Sequence, residues 1–277
     1  MKRFLVLLLW VAAVATARAE PVLLKGEPIQ GGLIVGQVPA GSKAALDGRA
    51  LRVGADGRFL FGFARDQKPE ATLVVTLPDG VRETRRLEVA RRDYQIQRID
   101  GLPPSQVTPS PEELERIKRE VAKVRAAKAT DSAVPWFAET FAWPAQGIIS
   151  GVYGSQRILN GEPRAPHYGV DVAAPTGTPV LAPIRARVVL AEPDLFFTGG
   201  TIILDHGHGL TTTYAHLSAV EVALGEEVRQ GQRIGRIGAT GRVTGPHLHW
   251  GMDWFDRPLD PARMVGPMPA PAKPAPG

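Results

Sequence analysis

Residues 245–251 read GPHLHWG, two histidines one leucine apart, fenced by glycine and proline. Alternate side chains of an extended strand point to one face, so His247 and His249 project together. The surrounding sequence supports a strand. Short Val/Ile-rich runs, TPVLAP (178–183), ARVVLAE (186–192), GTIILDHG (200–207), LTTTYAHL (210–217), QRIGRIG (232–238) and LHWGMDW (248–254), are separated by Gly and Pro with little room for a helix. Residues 136–266 therefore read as an all-β domain.

All six histidines of the chain fall between His167 and His249, inside this domain. His167 and Asp171 stand in PHYGVDVAAP (166–175), His216 in TTTYAHLS (211–218), and His247 and His249 in the opening stretch. Catalytic zinc commonly takes three N/O ligands and leaves a fourth position to water. His167, Asp171 and His249 would supply two imidazoles and a carboxylate. Four extended residues span roughly 13 Å, too far for His167 and Asp171 to share an ion. The chain must therefore bend, with Gly169 the natural place, His167 on a loop and Asp171 at the start of a strand. No His-Glu-x-x-His helix offers a glutamate base. A neutral imidazole can instead deprotonate water whose pKa zinc has lowered. His216 and His247 are the candidates for general base and oxyanion donor, with the two roles undivided. His206 and His208, in DHGHG, read as turn residues. Asn160 and Arg164 either contact substrate or fix the loop before His167.

The remainder of the chain frames this domain. Residues 1–19 carry Lys2 and Arg3, an apolar run from Phe4 to Val14, and Ala17-Arg18-Ala19, the pattern of a cleaved secretory signal. Removing Lys2, Arg3 and Arg18 takes the net charge from +5 to +2, too mild for nucleic-acid binding. No later segment is apolar enough to span a bilayer. The absence of cysteine excludes disulfides, thiolate ligands and a thiol nucleophile. Residues 20–100 alternate apolar positions (Phe59, Phe61, Phe63; Leu73, Val75, Leu77) between Asp-Gly turns at Asp47-Gly48, Asp56-Gly57 and Asp79-Gly80. This predicts a small β-sandwich of immunoglobulin type.

Residues 101–135 read as a Pro-rich linker (Pro103, Pro104, Pro109) and a helix. Ser110, Pro111 and Glu113 make its capping signal, and Leu114, Ile117, Val121 and Val124 its apolar stripe. The stripe packs on a neighbouring domain or offers a regulatory partner a surface on helix 111–128. Residues 267–277 read as a Pro/Ala-rich disordered tail.

Three segments, PHYGVDVAAPTGTPVLAP (166–183), GTIILDHGHGLTTTYAHLS (200–218) and TGRVTGPHLHWGM (240–252), resemble the lysostaphin/LytM-type zinc metallopeptidases, which cleave peptide bonds in bacterial peptidoglycan. The resemblance covers roughly residues 145–262 and implies a fold related to barrel-sandwich sheets. It implies Zn²⁺ held by His167, Asp171 and His249, with His216 and His247 catalytic. It also implies a periplasmic endopeptidase acting on peptidoglycan, with D,D specificity for D-alanyl–diaminopimelate links. Tyr214, Phe196 and Phe197 are expected along the substrate groove, with the preceding domain and helix as its gate. Ligand-deficient relatives activate other wall hydrolases, so a non-hydrolytic activator or adaptor is the alternative. The family often has Glu two residues past the final ligand, where this chain has Gly251. Asp253, of the same strand parity, is the expected substitute.

Other readings fail on composition. EVALGEEVRQGQRIGRIGATG (221–241) is similar to lipoyl-type carrier domains, which need a modified lysine, and residues 136–266 contain none. No Gly-x-Ser-x-Gly elbow surrounds Ser150, Ser155 or Ser218. GATGRVTG (238–245) lacks the Gly-Lys-Ser/Thr ending of a phosphate loop.

Overall fold

The computed structural model describes residues 22–99 and 109–269. The leader pattern, prolines 103 and 104 and most of the C-terminal tail lie outside these residues.

Seven strands form the N-terminal sandwich: β1 (Leu23–Lys25), β2 (Leu33–Gln37), β3 (Lys43–Leu46), β4 (Arg49–Leu51), β5 (Arg58–Gly62), β6 (Glu70–Thr76) and β7 (Arg82–Glu88). They pair as β1-β2-β5 and β4-β3-β6-β7. This differs from the immunoglobulin constant arrangement in one strand, since β4 pairs with β3 rather than joining the first sheet. Phe59, Phe61, Leu73 and Val75 fill the core, each at most 1% exposed. Asp47 and Gly48 both have positive φ, as the tight turn between β3 and β4 requires.

β8 (Ile96–Ile99) leaves the sandwich and pairs in parallel with β10 (Gln156–Leu159), which is also joined by β11 (Glu162–Pro163). Helix α1 (Pro111–Lys128) then begins with the expected cap: the Ser110 side chain accepts from Glu113 N, and the Glu113 carboxylate accepts from Ser110 N. Its Ala127 joins Leu190, Leu195 and Ile203 in a small second core. The stripe is only half used, because Leu114 and Val121 remain exposed.

The C-terminal domain is a ten-stranded sheet. Its main path runs β17 (Glu227–Val228), β14 (Ala186–Leu195), β15 (Gly199–Asp205), β16 (Leu210–Val220), β19 (His247–Trp254), β12 (Val170–Ala173), β9 (Ile148–Gly151). β18 (Arg233–Ile237) joins β16 and β13 (Pro179–Leu181), and β20 (Arg257–Leu259) joins β19. Both domains are β-rich as predicted, and their apolar residues form one continuous core. Docking is tight: Arg65 Nε donates to Gly154 O at 2.8 Å, and Arg92 pairs with buried Asp260 at 2.9 Å.

Strand β19 fixes the site. Leu248, Trp250, Met252 and Trp254 point inward and are at most 2% exposed. Each buried side chain contributes about 1.5–3 kcal/mol. A one-residue slip would turn all four outward, so the register that places His247 and His249 on the opposite face is strongly held.

Candidate metal and catalytic site

Strand pairing brings the three proposed ligands together. His249 on β19 lies opposite Asp171 on β12, and the chain bends at Gly169 to return His167 from the preceding loop. His167 Nε2 and Asp171 Oδ1 are 2.9 Å apart, His249 Nδ1 and Asp171 Oδ1 2.9 Å, and His167 Nε2 and His249 Nδ1 3.0 Å. Gly169 has a second role there. A Cβ at that position would stand 2.6 Å from His249 Cε1 and 2.7 Å from Trp250 O, so the imidazole of His249 occupies the space glycine leaves.

The donor set fits a cation. His167 Nδ1 faces the Val152 carbonyl at 3.2 Å and must be its donor, which leaves the Nε2 lone pair aimed at Asp171 and His249. Nε2 of His167, Oδ1 of Asp171 and Nδ1 of His249 then converge on one point, and a single proton cannot satisfy all three. Tetrahedral zinc with bonds of 2.0–2.1 Å separates its ligands by about 3.3 Å, so opening the cluster by a few tenths of an ångström admits the ion. Burial works against ionisation of Asp171, but the imidazoles of His167 and His249 beside it outweigh it and hold the carboxyl below the usual carboxylate range. Burial pushes His249 down, against the pull of Asp171.

His216 and His247 stand beside this cluster, ring centroids 4.9 Å apart. His216 Nδ1 donates to Thr240 O at 3.0 Å, and His247 Nδ1 donates to Gly245 O at 2.9 Å, since a carbonyl can only accept. Both neutral rings therefore keep a basic Nε2, and His247 Nε2 lies 4.0 Å from Asp171 Oδ1. Burial, then the neighbouring His249, pushes His216 down to about 3. Its backbone is unusual: φ is +66° where β16 leaves β19 after Ala215 and joins β18 from Leu217. A non-glycine residue in that region is strained, as often happens at active sites.

These groups line a cavity of about 320 Å³ with Gln97, Ser150, Arg157, Phe197, Thr198, Arg242 and Thr244. Phe197 lies along it as expected, while Phe196 packs edge-on against Phe197 and its backbone N donates to Glu120 of α1. Two substrate assignments are corrected. Tyr214 is fully buried and bonded to Thr212 Oγ1 at 2.8 Å, because its register partner Trp250 lies on the core face. Asn160 is the exposed tip of an Asn-Gly hairpin turn (φ +48° and +83°) and does not line the cavity. Asp253 is a third correction. It shares the face of His249 but lies four residues along, and its carboxylate pairs with Lys128 of α1 at 2.7 Å. His206 and His208 follow β15 in a turn outside the cavity; both are buried, and His206 is bonded to Thr212 Oγ1 at 2.7 Å. Sequence reasoning missed Gln97, Arg157 and Arg242. Only Arg242, the one charge in the loop before His247, carried a local signal.

Comparisons with known proteins bear on the family and the fold. The Peptidase family M23 model matches residues 165–261. The crystal structure of an M23 peptidase candidate from Pseudomonas aeruginosa superposes with TM-score 0.67 at 32% identity, covering 87% of this chain and 96% of that one. Peptidoglycan DD-endopeptidase ShyA of Vibrio cholerae serotype O1 is 42% identical over 104 residues, 38% of this chain and 24% of that protein. Cell division protein DipM of Caulobacter vibrioides is 35% identical over 127 residues, 46% of this chain and 20% of that protein. The chain thus spans about a quarter or less of the length of these two curated relatives.

Proposed function

The chain belongs to peptidase family M23, and from that membership we propose that it is a zinc-dependent endopeptidase of bacterial peptidoglycan. The convergence of His167 Nε2, Asp171 Oδ1 and His249 Nδ1 within 3.0 Å of one another, in a cavity two further imidazoles share, carries this reading. The name of the ShyA relative supports a D,D bond, and we assign D-alanyl–diaminopimelate links as the target. The leader pattern of residues 1–19 supports export to the periplasm, where such a substrate lies.

Bound zinc supplies Lewis acidity, polarising the scissile carbonyl and acidifying water. The protein supplies the rest. Nε2 of His216 or His247 takes the proton of the attacking water and returns it to the departing amine. We assign the other imidazole as donor to the developing oxyanion, a role that requires a proton on its Nε2. Their Nδ1 anchors to Thr240 O and Gly245 O fix both rings, so neither must reorient during the reaction.

Digestion of purified sacculi with the full chain, with products identified by mass spectrometry, tests this. Cross-linked dimers should become monomers, and His249→Ala or a chelator should abolish their release. Zinc binding without any product would instead support the non-hydrolytic activator.

A further inference from the structure

The two oxygens of Asp171 stand in different surroundings. Oδ1 is the one that meets His167 Nε2 and His249 Nδ1, each at 2.9 Å. Oδ2 lies over Gly151, the register partner of Asp171 on β9, where a Cβ would stand 2.4 Å from it. The pairing of β12 with β9 shifts between Asp171 and Val172, so the carboxylate stands at an irregularity of the ladder. On that side Arg157 Nη2 faces Oδ2 at 3.6 Å, in an ion pair whose carboxylate is buried.

Arg157 is itself fixed from two sides. β10 is paired in parallel with β8 along one edge and with β11 along the other, and Arg157 lies in register with Gln97. Gln156 N donates to Gln95 O at 2.8 Å, and Arg164 N donates to Arg157 O at 2.9 Å. The backbone that carries this guanidinium is therefore held immediately before and at Arg157.

Carboxylates bind cations through one oxygen or through both. Catalytic zinc keeps its fourth position for water or substrate, and a second oxygen from Asp171 would compete for that position. A guanidinium beside Oδ2 opposes the competition by giving this oxygen a counter-charge outside the cluster. Gly151 leaves the space in which the carboxylate stays so turned.

We propose that Arg157 is a positioning residue that holds Oδ2 of Asp171 aside, so that Oδ1 alone is presented to the metal. The proposal rests on the zinc reading above. It also makes β8, which leaves the N-terminal sandwich, part of the support of the site.

Cobalt(II) loaded into the full chain tests it, because the visible absorption of this ion weakens as four ligands become five. The unsubstituted protein should give the intense four-ligand spectrum. Arg157→Ala and Arg157→Gln should weaken it and Arg157→Lys should restore part, with cobalt content measured by atomic absorption and folding by circular dichroism. Hydrolysis of a cross-linked dimer by the zinc-loaded Arg157→Gln protein should fall about 10–100-fold, the usual cost of disturbing a group that orients a metal ligand. A five-ligand spectrum in the unsubstituted protein, or an undiminished one in the loaded variants, overturns the positioning role and leaves the zinc reading intact. Loss of the ion from folded Arg157→Gln protein also overturns it, since turning one oxygen aside is not needed for retention. If the unsubstituted chain takes up no cobalt, the zinc reading fails and the positioning role with it. A spectrum weakened as expected, without hydrolysis by the unsubstituted protein, supports the positioning role and defeats the endopeptidase reading alone.

Discussion

Lys128, the last residue of α1, places its ammonium 2.7 Å from the buried carboxylate of Asp253, four residues past His249 on the same strand. The helix is thereby tied to the strand that carries His247 and His249. Lys128→Ala leaves a buried charge without its partner. Because Lys128 is partly exposed, the expected loss is about 1–3 kcal/mol, below that of a fully buried pair. Urea unfolding of Lys128→Ala, Asp253→Asn and the double variant measures it. Additive losses would show that the pair contributes nothing.

Gly169→Ala places a methyl group 2.6 Å from His249 Cε1, with backbone on the other side, so the imidazole must move. Displacement on the order of 1 Å costs about 10²-fold in rate. We expect that loss in hydrolysis, together with weakened zinc retention, at unchanged circular dichroism. Full activity would show that the ring relaxes freely.

The two proposed roles separate experimentally. His216→Ala and His247→Ala should each lower kcat by about 10²–10⁴-fold while retaining zinc, measured by atomic absorption. His249→Ala should lose zinc and activity together. A zinc-free His216→Ala protein would move that residue into the ligand set.

His206 gives a pH signature distant from the site. Burial pushes it down to about 4 from an ordinary 6.5, so the folded protein holds it neutral while the unfolded chain protonates first. Its stabilising contribution is full above pH 6.5 and is lost as pH falls toward 4. The shift corresponds to about 3 kcal/mol. Thermal melts at pH 7.5 and 4.5 should show the wild type losing more stability than His206→Gln. Parallel losses would remove His206 as the cause.

The bend at Gly169 and the shared face of His247 and His249 were legible because both follow from local sequence, whereas the meeting of His249 with Asp171 across β12 and β19 was only implied by the family resemblance. Tyr214 was misread because its orientation depends on which residue of β19 lies opposite, and pairing register is a long-range property. Parity placed Asp253 on the correct face but said nothing about distance: four strand residues separate it from His249 by roughly 13 Å. Gln97 and Arg157 reach the cavity through a parallel pairing between residues some sixty positions apart. No short-range pattern encodes that contact. The helix cap, by contrast, was readable because every group in it lies within four residues.

The positive φ of His216 has an evolutionary consequence. Asparagine or glycine would fold there at lower cost, so the reaction and the stability of the fold make opposed demands on one codon. Selection for a robust scaffold alone would erase this histidine, leaving a sturdier relative without the proposed proton-transferring group.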